Sequence, residues 1–266
     1  MIYDLIDNLE EELKKKKLRD NTIRCYKSAF HNFIKDINYN DEKIVLDKLN
    51  KVKNKTELSQ IINSIRTLKD LNYSFDFLDE EKLKSIIKNK ENNKHKNYEP
   101  YELKDALRKI NALRNDKYKL AYRLMTVSGL RVFEISNLTK NNIRFENDKI
   151  IISVIDGKGG KNAEVECLED KYLEEKLKNF LEEKNSEEKV FYSKSILQEK
   201  AKKLNFKCHD LRRAYSKLVK KKLLNDLVEI EEDEKEKIIE EEVKTALRHS
   251  KFETSKKYLY SKRIKV

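Results

Sequence analysis

Apolar residues recur at helical spacing from the first residues onward. Ile2, Leu5, Ile6, Leu9 and Leu13 make one face, the stripe an amphipathic helix buries. Asp20 or Asn21 is placed to cap a second helix, with Ile23, Tyr26, Phe30, Phe33, Ile34 and Ile37 as its buried stripe. Further helices are expected around 41–49, 56–71 and 80–88. Residues 1–90 therefore read as a domain of four or five helices.

The stretch Asn89-Lys90-Glu91-Asn92-Asn93-Lys94-His95-Lys96-Asn97 has no apolar residue and no periodicity, so 91–98 reads as a linker. Pro100, the only proline, is expected to open a helix at its first turn, where its missing N–H costs nothing. Leu103, Ala106, Leu107 and Ile110 supply that helix's apolar face, and another helix is expected over 117–128. All four glycines lie between 129 and 160. Gly157, Gly159 and Gly160 separate Ile150–Ile155 from Ala163–Leu168, two β-branched runs that predict a hairpin. Ile143-Arg144-Phe145 offers a third, short strand. Helices resume from about 171. The predicted class is mostly α with a small antiparallel β-sheet, in two domains, 1–90 and 99–266. The span 226–242 holds ten acidic residues and two lysines and is expected to be a solvated helix or loop facing away from any DNA backbone.

Charge narrows the partners. Sixty Lys+Arg against 48 Asp+Glu give a formal +12, a balance suited to nucleic acid or an acidic membrane surface. No apolar run reaches the ~18 residues of a membrane span, so no membrane partner is expected. Cys25, Cys167 and Cys208 are odd in number and far apart, which argues against a disulfide framework or cysteine zinc site and for a cytoplasmic protein.

The candidate chemistry is spread along the second domain. His249 is followed nine positions later by Tyr258. In one unbroken helix nine residues turn about 900° and rise roughly 13 Å, so the two share a site only if the chain turns between them. Ser250 and the Thr254-Ser255 pair carry hydroxyls that can end one helix and cap the next. Tyr258 alone reads more readily as a residue packing a helix end. Arg131 opens a helical stretch with Glu134 one turn on, either a held guanidinium or a surface ion pair. Lys158 sits between glycines at the hairpin tip, a groove-reaching lysine or a solvated one. His209 and Arg212 are three apart and share a helical face, a phosphate clamp or a plain surface helix, while Arg213 is expected to point elsewhere. Together, arginines, histidines, a lysine and a tyrosine suit phosphoryl transfer without metal or other cofactor. The cations stabilise charge on nonbridging oxygens, and tyrosine serves as covalent nucleophile.

These pieces resemble the tyrosine recombinase (phage integrase-like, Xer-like) family. Ser128-Gly129-Leu130-Arg131-Val132-Phe133-Glu134, Gly157-Lys158-Gly159, His209-x-x-Arg212 and the His249/Tyr258 pair occur in the family's order. The resemblance covers about 98–262, and the first helices look like the family's core-binding domain, which closes a C-shaped clamp around DNA. It implies that Arg131, Arg212 and His249 bind the scissile phosphate, with His209 assisting in proton handling or phosphate contact. It implies Lys158 as general acid and Tyr258 as the nucleophile of a 3′-phosphotyrosyl intermediate. It further implies double-stranded DNA as partner, a homotetramer on two sites and passage through a Holliday junction, in integration or excision of a mobile element or in chromosome dimer resolution. A type IB topoisomerase-like nicking-resealing enzyme and a noncatalytic DNA-binding clamp are the alternatives. Three departures stand out. Arg248 occupies the family's usual glycine position, where it is expected to change the turn or add a phosphate contact. Arg212 and His249 are 37 residues apart across the acidic stretch, and eight residues follow Tyr258. Tyr260 is the fallback nucleophile.

Overall fold

A computed structural model describes residues 2–73, 75–88, 99–157, 160 and 162–266. The expected linker at 91–98 and Lys158 at the hairpin tip fall outside them. The chain forms two compact units, Met1–Asn97 and Tyr98–Val266.

The first unit contains α1 (Ile2–Lys15), α2 (Asp20–Ile34), α3 (Glu42–Lys51), α4 (Lys55–Lys69) and α5 (Glu80–Lys88). The expected apolar stripes are the faces that pack. Leu5, Leu9 and Leu13 of α1 and Phe30, Phe33 and Ile34 of α2 close on Leu58, Ile62, Ile65 and Leu68 of α4. Each such side chain gains about 2 kcal/mol on leaving water. Asp41 and Asn54 cap α3 and α4 by accepting from backbone N–H groups. At α2 the expected cap is displaced by one residue. Arg19 is the N-cap without a side-chain bond, and Asp20 lies in the first turn, where its charge complements the helix dipole.

The second unit begins with β1 (Tyr101–Glu102), α6 (Leu103–Asn111), α7 (Asp116–Ser128) and α8 (Val132–Asn137). Pro100 does not open α6. It precedes β1, which pairs in parallel with the final strand, so the helix starts three residues later than expected. A short 3-10 turn leads into β2 (Ile143–Glu146), β3 (Lys149–Val154) and β4 (Ala163–Glu166), an antiparallel sheet in the order β2-β3-β4, with Ile152 opposite both Ile143 and Val165. Then follow α9 (Lys171–Glu182), α10 (Lys194–Lys203), α11 (Cys208–Asp226), α12 (Glu232–Ala246), α13 (Phe252–Leu259) and β5 (Ile264–Lys265).

Helix α7 is buried along most of its length, from Leu120 to Ser128, and packs on α6, α8, α9 and α11. The acidic stretch is not simply solvated. It supplies α12, whose Ile239 and Val243 are buried with Tyr215, Leu247 and Leu259, leaving the carboxylates on the outer face. Strand β5 tucks Ile264 against Leu103 and Ala214. Among the described residues no helix is long and apolar enough to cross a membrane.

Gly129 ends α7 in the left-handed conformation, φ 61°, and a Cβ there would lie 2.2 Å from the Tyr215 ring. Both constraints demand glycine. Gly129→Ala is therefore expected to lower unfolding stability by about 3 kcal/mol, read as a shift of the urea midpoint.

Candidate active site

The site is assembled where three helix ends meet the start of α11. The sharp turn of Gly129 delivers Leu130 and Arg131 at the mouth of α8, where Arg131 is the N-cap residue. The Glu134 carboxylate accepts from the Arg131 backbone N–H at 2.7 Å and from its Nη1 at 2.9 Å. This is no surface ion pair, because Glu134 is only 4% exposed. The same carboxylate accepts from Nη2 of Arg248 at 2.8 Å. Burial by itself would raise the Glu134 pKa, but Arg248 and the Arg131 backbone and side chain outweigh it and hold the group below the usual carboxylate value.

His249 reaches the site by a turn other than the one expected. The backbone N–H of Arg248 bonds to the Thr245 carbonyl and that of His249 to the Lys244 carbonyl, the pair of bonds that ends a helix in a Schellman motif. The residue that must be left-handed in this motif is Arg248, at φ 54°, the conformation glycine favours. No hydroxyl caps α13, whose N-cap is Lys251. Ser255 instead lies buried inside α13, and its Oγ sits 3.0 Å from Nδ1 of His249.

Arg212 is fully buried, at 0% exposure. Its Nη1 donates to the Gly129 carbonyl and its Nη2 to the Leu247 carbonyl, and Nη2 lies 3.2 Å from Nε2 of His249. A guanidinium only donates, so Nε2 accepts and the His249 proton sits on Nδ1, facing Ser255. Burial, then Arg131 and Arg248, push the Arg212 pKa down to about 9, which leaves it cationic at neutral pH. Its buried Nε–H has no partner among the described residues.

His209 lies in the first turn of α11, and its Nε2 is 2.6 Å from Oη of Tyr258. The side chain keeps an exposed face, yet desolvation on its inner side, with Arg213 and Arg212 adding to it, pushes its pKa down to about 4, so the imidazole is neutral at pH 7. With the proton on Nδ1, Nε2 accepts from the tyrosine hydroxyl. The Tyr258 ring centre lies 5.0 Å from that of His209 and 5.1 Å from that of His249. The fold thus brings together Arg131, His209, Arg212, His249 and Tyr258. Tyr260 turns away. It is 49% exposed, and its hydroxyl donates to Glu236 of α12 at 3.3 Å.

Two contacts were not foreseen from spacing. Arg213 does not point elsewhere, for its Cζ is 5.7 Å from the Tyr258 ring centre, beside that of Arg212 at 5.6 Å. Arg248 sends its side chain to Glu134 across the chain. Neither contact has a local signal, since each depends on how α12 and α13 pack on α11. Among the described residues no group of three or more His, Cys, Asp or Glu is arranged to hold a metal ion.

The model for the phage integrase family matches residues 76–232, over half of the chain. It reaches Arg131, His209 and Arg212 and stops short of His249 and Tyr258. No curated protein matches the sequence. Solved structures match nearly the whole chain. A lambda integrase dimer bound to a COC′ core site is 14% identical, over 96% of this chain and 94% of that one, at TM-score 0.66. XerH site-specific recombinase bound to difH substrate, a pre-cleavage complex, is 16% identical over 97% and 92%, at 0.59. A lambda integrase tetramer bound to a Holliday junction is 12% identical over 96% and 76%, at 0.63. At these identities the likeness is one of fold.

Glu134→Gln leaves two guanidinium groups without their buried counter-charge and is expected to cost about 3 kcal/mol at neutral pH. The Glu134 pKa is lowered in the folded state, so its contribution is full above the unfolded value of about 4.5 and is lost as pH falls through the lower folded value. Urea midpoints of the two proteins should therefore converge in acid.

Proposed function

The chain belongs to the phage integrase family, the tyrosine-type site-specific recombinases, and from that premise we propose that it cleaves and rejoins DNA strands with Tyr258 as nucleophile. The observation that carries the reading is the 2.6 Å contact between Tyr258 Oη and Nε2 of a neutral His209. The tyrosine hydroxyl must give up its proton as it attacks, and an uncharged imidazole at hydrogen-bond distance is a base that can take it.

In the proposed reaction Tyr258 Oη bonds to phosphorus while its proton passes to His209. The bond to the 5′-oxygen breaks, leaving a 3′-phosphotyrosyl linkage and a free 5′-hydroxyl. Lys158 is the proposed donor of the proton that the departing oxygen takes up. Arg131 and Arg212 place positive charge at the nonbridging oxygens. Three of the five N–H bonds of Arg212 are engaged by Gly129, Leu247 and His249, so its Nε–H and the second N–H of Nη1 are the donors left for phosphate. For His249 to donate to phosphate through Nε2, its bond from Arg212 must open. Rejoining follows when a 5′-hydroxyl of the other strand attacks the linkage, which reverses the proton transfers.

We place this chemistry in integration or excision of a mobile element, or in chromosome dimer resolution, with four copies acting on two double-stranded sites through a Holliday junction. The lambda integrase tetramer on such a junction, which this fold resembles, supports that assembly. The first unit contributes DNA contacts, and much of the affinity is phosphate contact, so binding weakens steeply with salt.

The test is incubation with a supercoiled plasmid carrying the DNA that flanks the gene, followed by assay for protein joined to 3′ ends. Tyr258→Phe should abolish attachment, by at least about 1,000-fold, and Tyr260→Phe should retain it. Attachment lost in Tyr260→Phe and kept in Tyr258→Phe overturns the assignment. Cleavage by the unaltered protein should persist below pH 6.5 and decline only towards about pH 4, where His209 takes up its proton.

A further inference from the structure

We propose that Arg213 is a positioning residue for Tyr258, clamped by Asp210 so that its charge lies beside the attacking ring; the proposal rests on the reading of Tyr258 as nucleophile. Adjacent residues on a helix point about 100° apart, and one face of α11 would normally present Arg212 or Arg213 but not both. The Tyr258 ring lies where both guanidinium groups reach it, at 5.6 and 5.7 Å. Arg212 is held from behind by two helix ends. Arg213 is held from the side, since its Nη1 donates to Oδ1 of Asp210, one turn earlier.

Asp210 is itself fixed. It is 3% exposed, and its other oxygen accepts from Oη of Tyr101 at 3.2 Å. Burial, then the Asp210 charge, raise the Tyr101 pKa, so this donor keeps its proton at working pH. Tyr101 belongs to β1, which is anchored by its pairing with β5. Arg213 thus ends a chain of contacts that runs Tyr101, Asp210, Arg213, Tyr258. Its side chain is 16% exposed, and its buried Nε has no partner among the described residues. A cation fixed over an aromatic ring restrains that ring and favours negative charge developing on its oxygen.

The same charge acts on the base. His209 faces Asp210, Arg212 and Arg213 on its own helix, Arg131 at the start of α8, and Tyr258 on α13. Removing Arg213 leaves Asp210 unopposed beside the imidazole. His209 then binds a proton more readily, and the acidic limb of cleavage moves to higher pH. A residue that only supported the fold would lower the amount of active protein without moving the limb.

The experiment measures the rate of covalent attachment to the same plasmid at saturating protein, from about pH 4 to 8. It compares the unaltered chain, Tyr258→Phe, Arg213→Gln and Arg213→Lys. Arg213→Gln should be slower by on the order of tenfold, with half-saturation unchanged and the acidic limb shifted upward. Arg213→Lys keeps the charge and should keep the limb in place while restoring part of the rate. Arg213→Gln attaching at the unaltered rate overturns the proposal, as does a slow variant whose limb has not moved. Should Arg213→Gln fail to fold, Arg213→Lys carries the test, and a shifted limb in that variant contradicts it. No Tyr258-dependent attachment by the unaltered chain overturns the parent reading. Tyr258-dependent attachment that ignores both Arg213 variants overturns only this one.

Discussion

A single buried guanidinium joins the parts that the site needs. Arg212 donates to the terminal carbonyls of α7 and α12, at Gly129 and Leu247. Carbonyls at a helix C-terminus have no partner within the helix and carry the negative end of its dipole. A buried cation between two such ends is stabilised by both dipoles, and each carbonyl gains a donor. The geometry follows from that choice. The residue after Gly129 leads to Arg131, and the residues after Leu247 lead to His249. Placing one arginine at the junction brings Arg131 and His249 to the same site.

Glu134 provides the counterweight. Three guanidinium groups crowd the junction, and those of Arg131 and Arg248 both depress the Arg212 pKa. One buried carboxylate, shared between Arg131 and Arg248, offsets part of this repulsion. It also bonds the first turn of α8 to the turn that ends α12. The left-handed backbone of Arg248 costs about 1 kcal/mol or more relative to glycine. A charge-assisted bond to a buried carboxylate is large enough to offset it.

Much of this was legible in the chain. Apolar periodicity marked the first two helices of a first unit read as four or five, where five form, and the β-branched runs marked β3 and β4, because burial there is decided by local pattern. His209 and Arg212 were placed on one face by their spacing alone, and Glu134 was correctly seen as the partner of Arg131. What spacing did not show is decided by packing between distant elements. The parallel pairing of β1 with β5 displaced the helix start from Pro100. Ser255 was read as a cap and instead holds His249. Arg213 was assigned to another face, but the ring it meets comes from α13 and bridges two faces of α11. Arg248 was expected to change the turn or add a phosphate contact, yet it occupies the left-handed position glycine favours, and its side chain gains a buried partner in Glu134.

The two tyrosines near the end of the chain are separated by position. Tyr258 faces the cations and His209, and Tyr260 faces the acidic helix. Tandem mass spectrometry of the peptide recovered from nuclease-treated protein–DNA adduct reads this directly, since both tyrosines fall between Lys257 and Lys262. The expected product is a nucleotide linked through its 3′-phosphate to Tyr258, with Tyr260 unmodified. A nucleotide on Tyr260, or on a serine, would contradict it.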